Sequence, residues 1–139
     1  MNAPLYTTEI LRLAASLTEP RALSQEDGRA ELRSPTCGSR VTTTVELDGN
    51  GRVAALSQAV HACAFGQASS ALVERGAIGC SCEQVQTALT EVDAWLGGAD
   101  VQPTWPGIVA LAPARPRKAR HGAILLPFRA LLAAMEAGR

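Results

Sequence analysis

The chain has 139 residues, of which 47% are hydrophobic and 19% are charged, a composition typical of a folded globular protein rather than a disordered one. Its 13 basic and 13 acidic residues cancel, so the net charge gives no general reason to expect nucleic acid or an anionic membrane as a partner. No stretch approaches the ~18 apolar residues of a membrane span, and we expect no signal peptide. We therefore expect one cytoplasmic domain over residues 1–139, in which the four cysteines are free thiols or metal ligands rather than disulfides.

The first part of the chain predicts one helix followed by a β-hairpin. Apolar residues at helical spacing predict a helix over about residues 5–17. Residues 29–34 are interpreted as a short strand or an extended segment. The run VTTTVEL (41–47) alternates in polarity and is rich in β-branched residues, which predicts a strand with one buried face. The DGNG turn then leads into a return strand over 52–60.

The second part of the chain predicts helices. Small residues from Ala64 onward indicate a helix that ends at Gly76. Ser81 and Gln84 fit a capping box, which predicts a second helix that runs to the Gly97-Gly98 pair.

The last forty residues begin with a proline-rich segment. Residues 99–116 hold half of the eight prolines and predict a loop with at most one helical turn near 108–111. A final helix is predicted over about 118–136, and Pro127 within it predicts a kink, bulge or restart. The order of elements predicts an α+β fold, with a small antiparallel sheet of about three strands and helices packed on one face.

Two cysteines flank the predicted hairpin. Cys37 precedes the first strand and Cys63 follows the second, so the hairpin should bring both to one end of the sheet, close enough to share an ion. Cys63 also lies near a helix N-terminus, where free N–H groups and the helix dipole favour thiolate. Two thiolates supply half of a tetrahedral metal site. The alternative is that both side chains are small buried hydrophobes, and the residues alone leave both open.

The two histidines are candidates to complete such a site. His61 shares strand parity with Cys63, and His121 lies at the start of the last helix, in the basic run ARPRKARHGA. The alternative for each is an ordinary polar residue, solvated in the case of His121.

The remaining cysteines, Cys80 and Cys82, are spaced more closely than the usual zinc pair. They flank the predicted cap Ser81, so we interpret them as exposed residues near a helix start. A redox or sulfur-relay role is the alternative.

Several short motifs, in order along nearly the whole chain, resemble one protein family. SPTCGSR is similar to its x-P-x-C-G-D segment, Cys63-Ala-Phe-Gly-Gln-Ala-Ser-Ser to its G-C-x-x-x-x-A-S-S helix start, and SCEQVQTAL to its T-V-E-E-A-L helix. KARHGAILL is similar to its K-x-H-C-x-x-L segment. The chain thus resembles the U-type iron–sulfur cluster assembly scaffolds, which include IscU, SufU and the N-terminal domain of NifU.

The resemblance implies a cofactor and a set of ligands. Family members bind an iron–sulfur cluster (2Fe-2S) or Zn²⁺ through three cysteines and an aspartate, often with a histidine beside the third cysteine. Carried over by position, the ligands are Cys37, Cys63 and His121, while Ser39 occupies the aspartate position as a weak fourth ligand. Gly122 stands where the third cysteine belongs. The implied site therefore lacks the third cysteine and the aspartate of the family.

The leading hypothesis is a scaffold-like protein, not an enzyme, that binds iron, zinc or a cluster, or accepts sulfur, at Cys37 and Cys63. The implied partners are a cysteine desulfurase and other iron–sulfur assembly proteins, with no nucleic acid and no membrane. One alternative is a cofactor-free interaction module that kept the fold. Another is a thiol enzyme in which His121 acts as base for Cys37 or Cys63.

Overall fold

The structure is a computed structural model that describes residues 6–35 and 38–139. In chain order its elements are α1 (Thr8–Ser16), β1 (Gly28–Arg33), β2 (Arg40–Leu47), β3 (Val53–His61), α2 (Ala64–Gly76), α3 (Cys82–Leu96), a 3₁₀ helix (Ile108–Ala114) and α4 (Lys118–Ala137).

The three strands form one antiparallel sheet in the order β1-β2-β3. On β2 the side chains of Val41, Thr43 and Val45 are fully buried, whereas their neighbours on the other face are half-buried. The buried face is covered by α4, which packs on β1 and β2, and by α2, which packs on β3. The predicted α+β fold, with helices on one face of a three-stranded sheet, is confirmed.

The other face of the sheet is crossed by residues 17–27. The Arg21 amide donates to Ser57 Oγ at 2.8 Å, and the Ser24 hydroxyl donates to the Glu46 carboxylate at 2.9 Å. At the end of this segment the Leu47 amide donates to Asp27 at 2.7 Å. This bond is the main reason that the pKa of Asp27 lies below its usual value. The contact therefore stabilises the fold at neutral pH, and that stabilisation is lost as the pH falls through the lowered pKa.

Helix α4 runs through Pro127 as one continuous helix, so of the predicted kink, bulge or restart, the restart does not occur. Proline has no N–H and cannot donate to the carbonyl of Ala123 one turn earlier. The buried hydroxyl of Ser69 on α2 donates a hydrogen bond to the next carbonyl of α4, that of Ile124, at 2.6 Å. Because both helices are packed in the core, tertiary contacts outweigh the local cost of the proline.

The 3₁₀ helix is longer than the single turn that the sequence predicted. Its buried residues are Ile108, Leu111 and Ala114, which recur every three residues. That spacing matches the three-residue period of a 3₁₀ helix, so this helix presents one face to the core.

Helices α2 and α3 have the predicted bounds within one residue, and the capping box between Ser81 and Gln84 is present. Of the helices in the described ranges, none is long and apolar enough to cross a membrane.

Replacing Ser69 with alanine tests the contact between α2 and α4. We expect Ser69→Ala to lower the free energy of unfolding in urea by about 1–2 kcal/mol, because the Ile124 carbonyl loses a buried hydrogen-bond donor. Ser70→Ala is the matched control: Ser70 is equally buried, but its hydroxyl donates within α2, to the Gly66 carbonyl at 2.9 Å. That bond lies within α2 and joins no second helix, so the control should lose less. Equal losses would contradict a special role for the interhelical bond.

Candidate functional site

One end of the sheet brings together the starts of β2, α2 and α4. Arg40, the first residue of β2, pairs with His61, the last residue of β3. Near this end Leu126 and Ala130 of α4 pack on Val41. The other end of α4 lies at the far end of the sheet, where a Cβ on Gly138 would come within 2.9 Å of the Asp27 carbonyl. Helix α4 therefore begins at the same end as α2.

Cys63 is the N-cap residue of α2 at this end. Its carbonyl accepts the Gln67 amide at 2.9 Å, while its side chain makes no capping hydrogen bond. The thiol is free and half-buried. It is therefore available for chemistry rather than consumed by the helix cap.

Gly66 lets the first turn of α2 approach α4 closely. A Cβ on Gly66 would lie 3.4 Å from the carbonyl oxygen of Ala123 and 2.6 Å from Cβ of Ala62, so a larger residue would force a shift. The turn that carries Cys63 thus lies beside the turn that carries Gly122. Sequence reasoning did not single out Gly66, although it is part of the Cys-Ala-Phe-Gly motif.

Ser39 lies next to the start of β2 and is 4% exposed. Its carbonyl accepts the Ser34 amide at 2.8 Å, which closes the loop between β1 and β2. Cys37 lies outside the described residues. Its expected proximity to Cys63 therefore stays a prediction.

His121 lies in the first turn of α4, half-buried, with its ring bonded to the protein backbone. Its Nε2 lies 2.9 Å from the Ala114 carbonyl oxygen and 3.0 Å from that of Arg115. Both partners are acceptors, so Nε2 carries a hydrogen, and in the neutral ring Nδ1 keeps the lone pair. The alternative of a merely solvated His121 is wrong, because the ring ties the end of the 3₁₀ helix to α4.

Within residues 6–35 and 38–139, no group of three or more histidines, cysteines, aspartates or glutamates is placed to hold a metal ion. Of the predicted ligands, the residues described there are Cys63, His121 and Ser39, and a serine hydroxyl is a poor metal ligand at neutral pH. His61 is exposed at the end of β3, on the sheet face opposite the helices. A sulfur-rich site at this end therefore depends on Cys37.

The expectation that Cys80 and Cys82 are exposed is wrong. Cys82, in the first turn of α3, is buried, and Cys80, just before the cap, is half-buried. The Cys80 thiol donates to the Gly76 carbonyl at 3.3 Å. Burial raises the pKa of the Cys80 thiol, and the charge of Arg52 offsets part of that rise.

Comparison with solved structures shows the family of this chain. A crystal structure of a NifU-like protein (N-terminal) from Brucella abortus superposes with a TM-score of 0.86, at 30% sequence identity over 96% of this chain and 93% of that one. The chain belongs to the NifU-like family. No family model matches the sequence, and no curated protein matches it.

Two further crystal structures share the fold of this NifU-like chain. One, from Fervidobacterium islandicum AW-1, is described as an iron–sulfur cluster assembly scaffold for the SUF system. It has a TM-score of 0.83 and 20% identity, over 94% of this chain and 96% of that one. The other is a hypothetical protein with a TM-score of 0.75 and 21% identity, over 95% and 97% of the two chains.

Alkylation tests the difference in environment among the cysteines. In metal-free folded protein we expect iodoacetamide to modify Cys63 before Cys80 and Cys82, since the Cys63 side chain makes no capping hydrogen bond, the pKa of the Cys80 thiol is raised and the Cys82 side chain is buried. Mass mapping of peptides over time measures the order. Modification of Cys80 or Cys82 first would contradict an open site at Cys63.

The ring contact of His121 predicts a structural effect that requires no metal. We expect His121→Ala to lower the free energy of unfolding of metal-free protein by about 1–2 kcal/mol, because two partly buried carbonyls lose their shared donor. His121→Gln, which keeps an N–H donor, should lose less. Unchanged stability of the metal-free alanine variant would show that the ring does not hold the 3₁₀ helix to α4.

Proposed function

We propose that this NifU-like chain is a scaffold-like protein of iron–sulfur cluster assembly, which receives sulfur or holds metal at Cys37 and Cys63. The likeness to the Brucella abortus protein over nearly the full length of both chains supports this proposal most strongly. The fold shared with a protein described as an assembly scaffold is consistent with it. The free thiol of Cys63, at the meeting point of β2, α2 and α4, supplies a suitable group.

In this proposal the metal or cluster is the cargo of the protein. The thiolates of Cys37 and Cys63 are its principal ligands, because anionic, soft sulfur suits both zinc and iron–sulfur clusters. His121 contributes Nδ1, since Nε2 is bonded to backbone carbonyls. Ser39 adds a weak hydroxyl ligand. Two sulfurs and one imidazole suit Zn²⁺, or a 2Fe-2S cluster that another molecule completes.

Sulfur acceptance needs only one thiol. The Cys63 thiolate attacks the outer sulfur of a persulfide on a cysteine desulfurase, so that a new S–S bond forms at Cys63. The old S–S bond breaks, and the desulfurase cysteine leaves as a thiolate. In this role the chain is not an enzyme, because turnover belongs to the desulfurase.

We propose that residues 1–139 act as one NifU N-terminal-like domain in the cytoplasm, where other assembly proteins take the cargo.

The second candidate is a cofactor-free interaction module. Two observations favour it: Gly122 offers no ligand in the position of the third cysteine, and His121 has a structural contact of its own. A thiol enzyme is the weakest candidate, since the hydrogen bonds of its proposed base, His121, within residues 6–35 and 38–139 join the ring to the carbonyls of Ala114 and Arg115 and not to the Cys63 thiol.

Metal analysis of protein purified without oxygen and reconstituted with iron and sulfide tests the proposal. We expect about one zinc or two irons per chain, loss of both in Cys63→Ser, and no change in the control Cys80→Ser.

Gly122→Cys should raise zinc affinity by about tenfold or more, because it adds a third thiolate beside α2. The helical backbone of Gly122 accepts a cysteine side chain. Ser39→Asp in the same protein should add a carboxylate ligand.

Two outcomes would contradict this proposal. If the natural protein retains no metal and Gly122→Cys gains none in competition with a chelator, the interaction module is the better account. If Gly122→Cys gains affinity but keeps it after Cys63→Ala, the site has been placed wrongly.

A further inference from the structure

The register of the sheet aligns three basic side chains in one row at the site end. Arg33 of β1 pairs with Arg40 of β2, and Arg40 pairs with His61 of β3. All three lie on the face that the helices do not cover, because their neighbours Leu32, Val41 and Val60 pack under α4. Arg33 and His61 are exposed and Arg40 is half-buried. We call Arg33, Arg40 and His61 the basic row.

Arg33 and Arg40 are like charges directly opposite each other, which destabilises a sheet, and the fold itself does little to relieve this cost. Glu31 lies 3.8 Å from Arg33, with both side chains at least about half exposed to solvent. Glu19 lines the same depression as His61. For Arg40, the central member, the structure gives no ion pair within residues 6–35 and 38–139. The row therefore keeps a positive charge that a ligand could neutralise.

The charges of the whole chain are unevenly distributed, although they sum to zero. Between Asp100 and Glu136 the sequence contains no acidic residue and five arginines or lysines. Three of these, Arg117, Lys118 and Arg120, lie at the start of α4, at the same end as the basic row. In contrast, residues 42–100 carry seven acidic and two basic residues. The start of α4 therefore adds basic side chains to the end of the molecule that carries Cys63.

We propose that the basic row docks an acidic segment of a partner protein beside the candidate site. Neighbouring strands lie about 4.8 Å apart, so the row spans about 10 Å, the reach of a few carboxylates on one short peptide. The flanking Glu19 and Glu31 oppose a long continuous phosphate backbone and favour a short segment with separate carboxylates. Cys63 follows His61 by two residues, so such a partner lies next to the thiol. The identity of this partner as an iron–sulfur assembly protein rests on the proposed function. The docking of an acidic segment at the basic row does not.

Octaglutamate peptide is the probe, and metal-free Cys63→Ser protein is the background, so that docking is measured without any cargo. We expect amide signals around Arg33, Arg40 and His61 to shift on titration, and binding to weaken as salt is added. Arg33→Gln with Arg40→Gln should weaken binding about tenfold, equivalent to about 1.4 kcal/mol. Arg12→Gln with Arg129→Gln is the matched control. It removes two exposed charges elsewhere and should change affinity less than about twofold.

Four outcomes would overturn docking at the row. Equal losses in both double variants would mean that only net charge matters. Shifts confined to residues 115–121 would place the peptide on the start of α4. Inorganic phosphate that reproduces the same shifts and displaces the peptide would reveal a simple anion site. A single-stranded oligonucleotide that binds more tightly than octaglutamate would indicate a nucleic-acid surface. None of these results bears on the metal content of the natural protein.

Discussion

The close packing of α2 against α4 fixes the positions of the other parts of this molecule. Gly66 allows the two helix backbones to meet at Ala123, and Ser69 donates a buried hydrogen bond to the Ile124 carbonyl. Pro127 would ordinarily weaken α4 at this point, yet the helix continues because its neighbours hold it. Both helices also cover the sheet, so this contact sets where each of them begins relative to the strands.

The same contact explains how the candidate site is built. The thiol of Cys63 lies at the start of α2. Gly122 lies in α4, one residue before Ala123, where α4 contacts α2. His121 is adjacent, but its ring faces the end of the 3₁₀ helix, where Nε2 bonds to two carbonyls. His121 thus holds the end of the 3₁₀ helix through Nε2, and in the neutral ring Nδ1 keeps a lone pair.

The distribution of charge adds a second property to this end of the molecule. An electrically neutral chain gave no reason to expect a charged surface, because composition reports only the sum of the charges. Strand register brings Arg33 and Arg40 together although they are seven positions apart in the chain. The start of α4 adds three more basic residues to the same end.

Local patterns in the sequence determined most of the fold of this protein. The alternation in residues 41–47, the DGNG turn and the capping box at Ser81 act over a few residues, so the hairpin and the helices were predictable from them. The motifs around Cys63 and His121 likewise predicted the family. Only the tertiary structure decided that Cys82 is buried, that α4 continues through Pro127, that His121 bonds to carbonyls and that the basic row exists. Each of these depends on how separate helices and strands pack against one another, and the energies of burial and packing outweigh the local preference of a single stretch of sequence.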